Sequence, residues 1–202
     1  KRGFQEHPGG SLIHDRAIEA GFQEQVLPDH DVRAARSSLN VLGDGFVECI
    51  DSNTLVSIAQ SQPRFMRGEI VEVPVLEVLG ARRVGRFGWK NQHASLVSFS
   101  ADAYLNEMGI TTPLLPVDNT VNGVVVPDLV ADPEDDGVDV EVFATFMRAT
   151  KAPPRDPARA ARWLGPLDPA GGSGVRSRWC HRGRGAATLY PERIVIMGAA
   201  GR

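Results

Sequence analysis

A break in composition at Pro153-Pro154 constrains this chain more than any other feature. Residues 1–150 carry 12 basic and 22 acidic side chains, a net charge of −10. Residues 151–202 carry 10 basic and 3 acidic, a net of +7. From Arg155 onward, 29 of 48 residues are Arg, Gly, Ala or Pro, and apolar patterning survives only at 194–197. Such a segment lacks the regularly spaced apolar side chains that a core requires. The expected division is therefore a folding region over 1–154 and a tail of low order over 155–202. Three origins fit the tail. It is a basic segment that binds a partner, a loop-rich continuation of the domain, or an out-of-frame translation of GC-rich DNA beginning near 156–163.

The whole chain of 202 residues is 42% hydrophobic, enough for one domain with a real core. The net charge of −3 does not invite nucleic acid or an anionic membrane. The longest apolar runs, such as 124–126, are far too short to span a bilayer, so no transmembrane segment is expected. Two cysteines, Cys49 and Cys180, exclude a disulfide scaffold in a chain of this size. Cys49 sits in Phe46-Val47-Glu48-Cys49-Ile50 and reads as a buried structural thiol.

Local signals place the elements. Pro8-Gly9-Gly10 is turn chemistry. The stretch 12–20 reads as a short extended piece or a helical turn. Asp51-Ser52-Asn53 supplies N-caps for a helix over 54–60, with Leu55, Ile58 and Ala59 on one face and Pro63 as its stop. Alternation over 69–79 predicts a short strand pair or extended arm, confined to an edge by Pro74. The strongest helix runs from about 94 to 108, with Val97, Ala101, Tyr104 and Met108 at spacings of 4, 3 and 4 and Gly109 as C′. A long loop over 112–132 follows. Asp135-Asp136 then opens a helix over 138–150 with Val142, Phe143, Phe146 and Met147 on one side. The fold class so read is mainly α, with extensive loops and a small β element.

Most short motifs carry no chemistry. Gly183-Arg184-Gly185 follows no strand and is not a dinucleotide loop. Gly43-Asp44-Gly45 is a turn, and His7 and His14 find no partners at metal-ligand spacing. The run Gly85-Arg86-Phe87-Gly88-Trp89-Lys90 differs. Its glycines let backbone approach something bulky, and a buried Trp89 with Arg86 beside a helix start suits a flat cofactor bearing carboxylates. A packed turn ahead of a helix accounts for the same residues.

Five pieces together resemble one family: Gly9-Gly10-Ser11-Leu12-Ile13-His14, Leu42-Gly43-Asp44-Gly45-Phe46-Val47-Glu48, Val73-Pro74-Val75, Gly85-Arg86-Phe87-Gly88-Trp89-Lys90-Asn91-Gln92 and Asn106-Glu107-Met108-Gly109-Ile110-Thr111. The family is that of the di-haem oxidoreductases, peroxidase-like proteins also called thiol oxidoreductases and related to cytochrome c peroxidase. The resemblance runs from about Gly9 to Pro154. It implies two mostly helical cytochrome c-like domains, each holding haem c through Cys-x-x-Cys-His with the histidine as iron ligand. It also implies a periplasmic or exported location, and an electron-donor protein or small reductant as partner.

The chain departs from that pattern at the attachment motifs. The first is expected ahead of Lys1. The second is expected where the chain reads Ser177-Arg178-Trp179-Cys180-His181, with Ser177 in place of the first cysteine. The resemblance assigns Cys180 to a single thioether and His181 to iron. Met108 becomes a candidate distal iron ligand, Arg86 a propionate partner and Trp89 an electron relay. Met108 also reads as a core residue at a helix end, and Trp89 as packing. No catalytic residue is assigned. The expected function is a fragment of a haem-dependent oxidoreductase that passes electrons to an oxidant. The alternatives are a non-catalytic electron-transfer or binding module and an inactive truncated product.

Overall fold

Capping chemistry sets the first helices. The Asp51 carboxylate accepts from the Asn53 N–H at 2.8 Å and opens a helix over Ser52–Ser61, and Pro63 lies just beyond its end. These observations come from a computed structural model that describes residues 4–9, 12–14, 16–28, 30–36, 38, 40–127, 130–152, 154 and 194–200. The elements are β1 (Phe4–Glu6), β2 (Leu12–Ile13), β3 (Val32–Arg36), α1 (Asp44–Glu48), α2 (Ser52–Ser61), β4 (Glu72–Pro74), β5 (Arg82–Val84), α3 (Leu96–Ala103), α4 (Val138–Ala149) and β6 (Ile194–Ala200). A π turn, Tyr104–Met108, continues α3.

The core forms between α3 and α4. Leu96, Val97, Ala101 and Tyr104 bury against Val140, Ala144 and Met147, with Phe87 at one end. The two helices are antiparallel. Glu48 bridges the start of α3 to Arg148 near the end of α4, while Tyr104 meets Phe143 edge-on at 5.6 Å. Full burial of a leucine or valine side chain contributes about 2 kcal/mol, so these few residues dominate the unit's stability.

The structure corrects two assignments of buried faces. Along α4 the buried face is Val140, Ala144 and Met147, whereas Val142, Phe143 and Phe146 point outward. Two apolar stripes coexist on this helix, and the larger side chains lie on the outer one. Met108 is also outside the core, 53% exposed. Here α3 gives way to the π turn, whose wider winding rotates position 108 off the stripe of Val97, Ala101 and Tyr104. Gly109 does close the helix in the left-handed region, at φ 70°.

Two further assignments change. Ile58 turns outward on α2, leaving Ala59 as its buried residue. Cys49 caps α1 and is exposed rather than buried. A five-residue helix presents too little surface to cover its own last turn.

β4 pairs antiparallel with β5, Val73 opposite Arg83. Val73 and Val75 pack with Ala94 in a small second cluster. A larger sheet lies elsewhere. Within the tail, residues 194–200 form a strand, β6, while 155–193, where low order is expected, lie outside the described residues. β3 lines one edge of β6, with Ala34 opposite Ile196. β1 and β2 lie end to end along the other, with Leu12 opposite the same Ile196. Among the described residues no helix is long and apolar enough to cross a membrane.

Candidate functional site

The run 85–93 folds a tight loop. Phe87 and His93 exchange backbone hydrogen bonds, and the Gly85 N–H donates to Val71 O at 2.9 Å. A Cβ at Gly85 would lie 2.0 Å from Asn91 O, so only glycine fits there. Gly88 turns the chain at φ 79°.

Arg86 reaches away from the loop tip toward α1. Its guanidinium donates to Val47 O at 3.3 Å, Glu48 O at 3.1 Å and Ile50 O, and also to Ser52 Oγ at 3.3 Å. Its Nε donates back to Val84 O. A cation over the carbonyl end of α1 satisfies groups that the helix leaves open and complements its dipole. Burial lowers the Arg86 pKa, and Arg83 adds to the shift. The expected propionate partner is thus fastened to its own chain. Trp89 sits half-buried at the loop tip.

Glu48 gathers three elements. Its Oε1 accepts from the Leu96 N–H at 2.7 Å, and Arg148 donates through Nε to Oε2 at 2.7 Å and through Nη2 to Oε1 at 3.1 Å. Burial works to raise the Glu48 pKa, but the bonds from Arg148 and Leu96 outweigh it and leave the carboxyl below its ordinary value.

A second polar group lies at the other end of α3, around the π turn. π turns recur at functional sites, which makes this the best-defined candidate site in the described residues. His93 Nε2 lies 3.2 Å from Asp102 Oδ2, close but poorly aligned for a hydrogen bond. Asp102 Oδ1 accepts from Asn106 Nδ2, and Asn106 Oδ1 accepts from Asn119 Nδ2, each at 3.0 Å. The N-terminal arm meets the same turn. His14 bonds Glu24 Oε2 through its backbone N–H at 3.0 Å and its Nδ1 at 2.9 Å. Its bond with Glu24 raises the His14 pKa against the cost of burial, aided by the Asn106 backbone and the Glu107 charge. Burial raises the Glu107 pKa, with Asp102 adding to the shift. This cluster can hold and exchange protons. Among the described residues, no group of three or more His, Cys, Asp or Glu side chains is placed to hold a metal ion.

Nearer the N-terminus, His7 Nδ1 accepts from the Gly9 N–H at 3.0 Å, so its Nε2 carries the proton donated to Gln25 O. Both ring nitrogens of His7 are thus tied to backbone, with the His30 ring 4.8 Å away.

Comparison with protein families, curated proteins and solved structures finds no match. The site must be judged on its own chemistry. Cys180 and His181 lie outside the described residues. Met108 offers an exposed thioether, which suits iron. It stands at the far end of α3 from Arg86, about 15–20 Å away by helix rise, so the two do not address one common point. A depression of about 210 Å³ between Glu77, Val97, Leu114, Asp136, Val140 and Glu141 falls below the roughly 300–1,000 Å³ that encloses even a drug-sized ligand. The described residues do not fit haem by themselves.

Sequence reasoning singled out Arg86, Trp89 and Met108 but missed His14 with Glu24 and His93 with Asp102. His14 was weighed only as a metal ligand. The stretch between His14 and Glu24 is no single helix or strand, so no period pairs them.

Proposed function

We propose that this chain is part of a haem-dependent oxidoreductase that passes electrons to an oxidant in the manner of a peroxidase. On this reading haem c is anchored through Cys180 and His181 or through protein beyond this chain. The protein is periplasmic or exported and draws on an electron-donor protein or small reductant. One observation carries the reading: the sequence pieces that bear the resemblance are bonded to one another in space. Arg86 of one piece holds Val47 and Glu48 of another, and Glu48 holds the start of α3. His14 of the first piece meets Asn106 of the last. Residues up to about 90 apart in sequence thus form one connected scaffold, the arrangement this reading expects of pieces that belong to one domain. The described residues serve as that scaffold and, at the π turn, hold protons.

The alternative is a non-catalytic electron-transfer or binding module. Export of the full chain together with haem-maturation factors separates the possibilities. A Soret band with peroxide-dependent oxidation of a reduced donor supports the enzyme. A Soret band without turnover supports the module. Absence of any Soret band defeats the family reading.

A further inference from the structure

We propose that the His14–Glu24 pair is a proton-dependent clasp that ties two segments of the N-terminal arm, 12–14 and 23–25, to each other beside the π turn. The proposal is independent of any haem chemistry.

The arm is attached almost wholly by polar bonds. His7 Nε2 donates to Gln25 O, the Gln25 N–H donates to Asn122 Oδ1, and Thr120 Oγ1 donates to Pro8 O at 2.6 Å. Gln23 Nε2 donates to His14 O at 2.6 Å. Among the side chains described over 7–31, no apolar one is fully buried: Leu12, Ile13, Val26 and Leu27 are half-buried and Ile18 is fully exposed. These segments therefore lean on their polar joints more than the α3–α4 unit does.

One of these joints is ionic. A single oxygen, Glu24 Oε2, accepts from both the backbone and the ring of His14, and the Glu24 side chain is only 9% exposed. Loss of the His14 proton leaves that nearly buried carboxylate without its counter-charge, and a buried unpaired charge is costly. The groups facing the pair are Glu107 and the Asn106 backbone from the π turn, with His7 toward Glu24. Glu107 adds a negative charge, so the π turn also favours the imidazolium.

The sign follows from the two shifts. The His14 pKa is raised, so its contribution is complete below the ordinary histidine value of about 6.5 and is lost as pH climbs through the folded value. For Glu24, burial pushes upward, but the His14 bonds win and the pKa is lowered. Its contribution is complete above the ordinary glutamate range and is lost as pH falls through the folded value. The clasp is closed in mildly acidic solution and loosens toward alkaline pH. His14 is 43% exposed, so solvent screening limits the effect to a few-fold.

The test is hydrogen exchange and ring titration by NMR on the full chain. His14 should titrate above about 6.5. Amide protection factors at His14 and Gln25, whose N–H groups are bonded in the closed arm, should fall about two- to fivefold as pH rises through that titration, while those of α3 and α4 stay level. In His14→Gln, which keeps a bonding side chain but no charge, protection should sit at the alkaline level at every pH. Glu24→Gln provides the matching variant from the other side. Flat protection in the native chain, pH dependence that persists in His14→Gln, or His14 titration at or below the ordinary value would overturn the clasp.

Discussion

The N-terminal arm and the unit built on α3 and α4 use opposite means of attachment. In the α3–α4 unit, Leu96, Ala101, Val140 and Ala144 are almost wholly removed from water and meet across one interface. In the arm, the buried side chains are histidines, while Ile18 and Phe22 face solvent. Apolar burial is non-directional and insensitive to pH. Polar joints are directional, individually weak and responsive to protonation. One chain thus contains a unit that stays in place across conditions and an arm whose attachment depends on them.

The largest test of that contrast is Gly85→Ala. A methyl group there meets Asn91 O at 2.0 Å, backbone against backbone, with no flexible side chain to yield. The expected loss is about 4 kcal/mol, read as a large drop in Tm or in the denaturant midpoint. A near-neutral result would mean that the 85–93 loop can open without disturbing the core.

Next is a pair of truncations. Leu96→Ala should cost about 3 kcal/mol, because its side chain is fully enclosed and the helix around it cannot collapse into the gap. Ile18→Ala in the arm should stay within about 0.5 kcal/mol. Equal effects in chemical denaturation would erase the distinction between the two regions.

The smallest effect concerns the ionic joint inside the stable unit. The Glu48 carboxyl is held below its ordinary value, so its contribution is present above the unfolded pKa and is lost as pH falls through the folded one. Arg148 is 38% exposed, so the contribution is about 1 kcal/mol or less. Stability of Glu48→Gln should show a shallower acid limb than that of the native chain. This is opposite in direction to the alkaline loosening of the arm, so the two ionic joints can be told apart in a single pH series.

Features set by neighbouring residues were legible in the sequence. Asp51 and Pro63 bracket α2, and Gly109 ends the π turn, because caps and stops act within a few positions. Features set by distant partners were not. The strand expected over 69–79 is present at Glu72–Pro74, but its mate, β5, has no alternation to announce it. The hydrophobic period of α4 allowed two faces, and only its packing on α3 decides between them. Met108 was misplaced because periodicity arguments assume α geometry, which ends at Ala103. At the candidate site the sequence singles out Arg86, but its acceptors are carbonyls of α1, which carry no sequence signature.

The boundaries of the stable unit have a consequence of their own. The Gly43 N–H and Val41 O both bond Thr150 Oγ1, at 3.4 Å, and a Cβ on Gly43 would stand 2.9 Å from the Ala152 Cβ. Entry and exit of the chain therefore coincide in space, and the path from 41 to 152 is nearly a closed ring. Such a ring can be cut and rejoined. A short linker from 152 back to 41, with new ends opened at the exposed 79–80 turn between β4 and β5, should yield a circular permutant with the same packing. The same closure would let these residues be carried as an insert within a host loop, since both ends leave from one point.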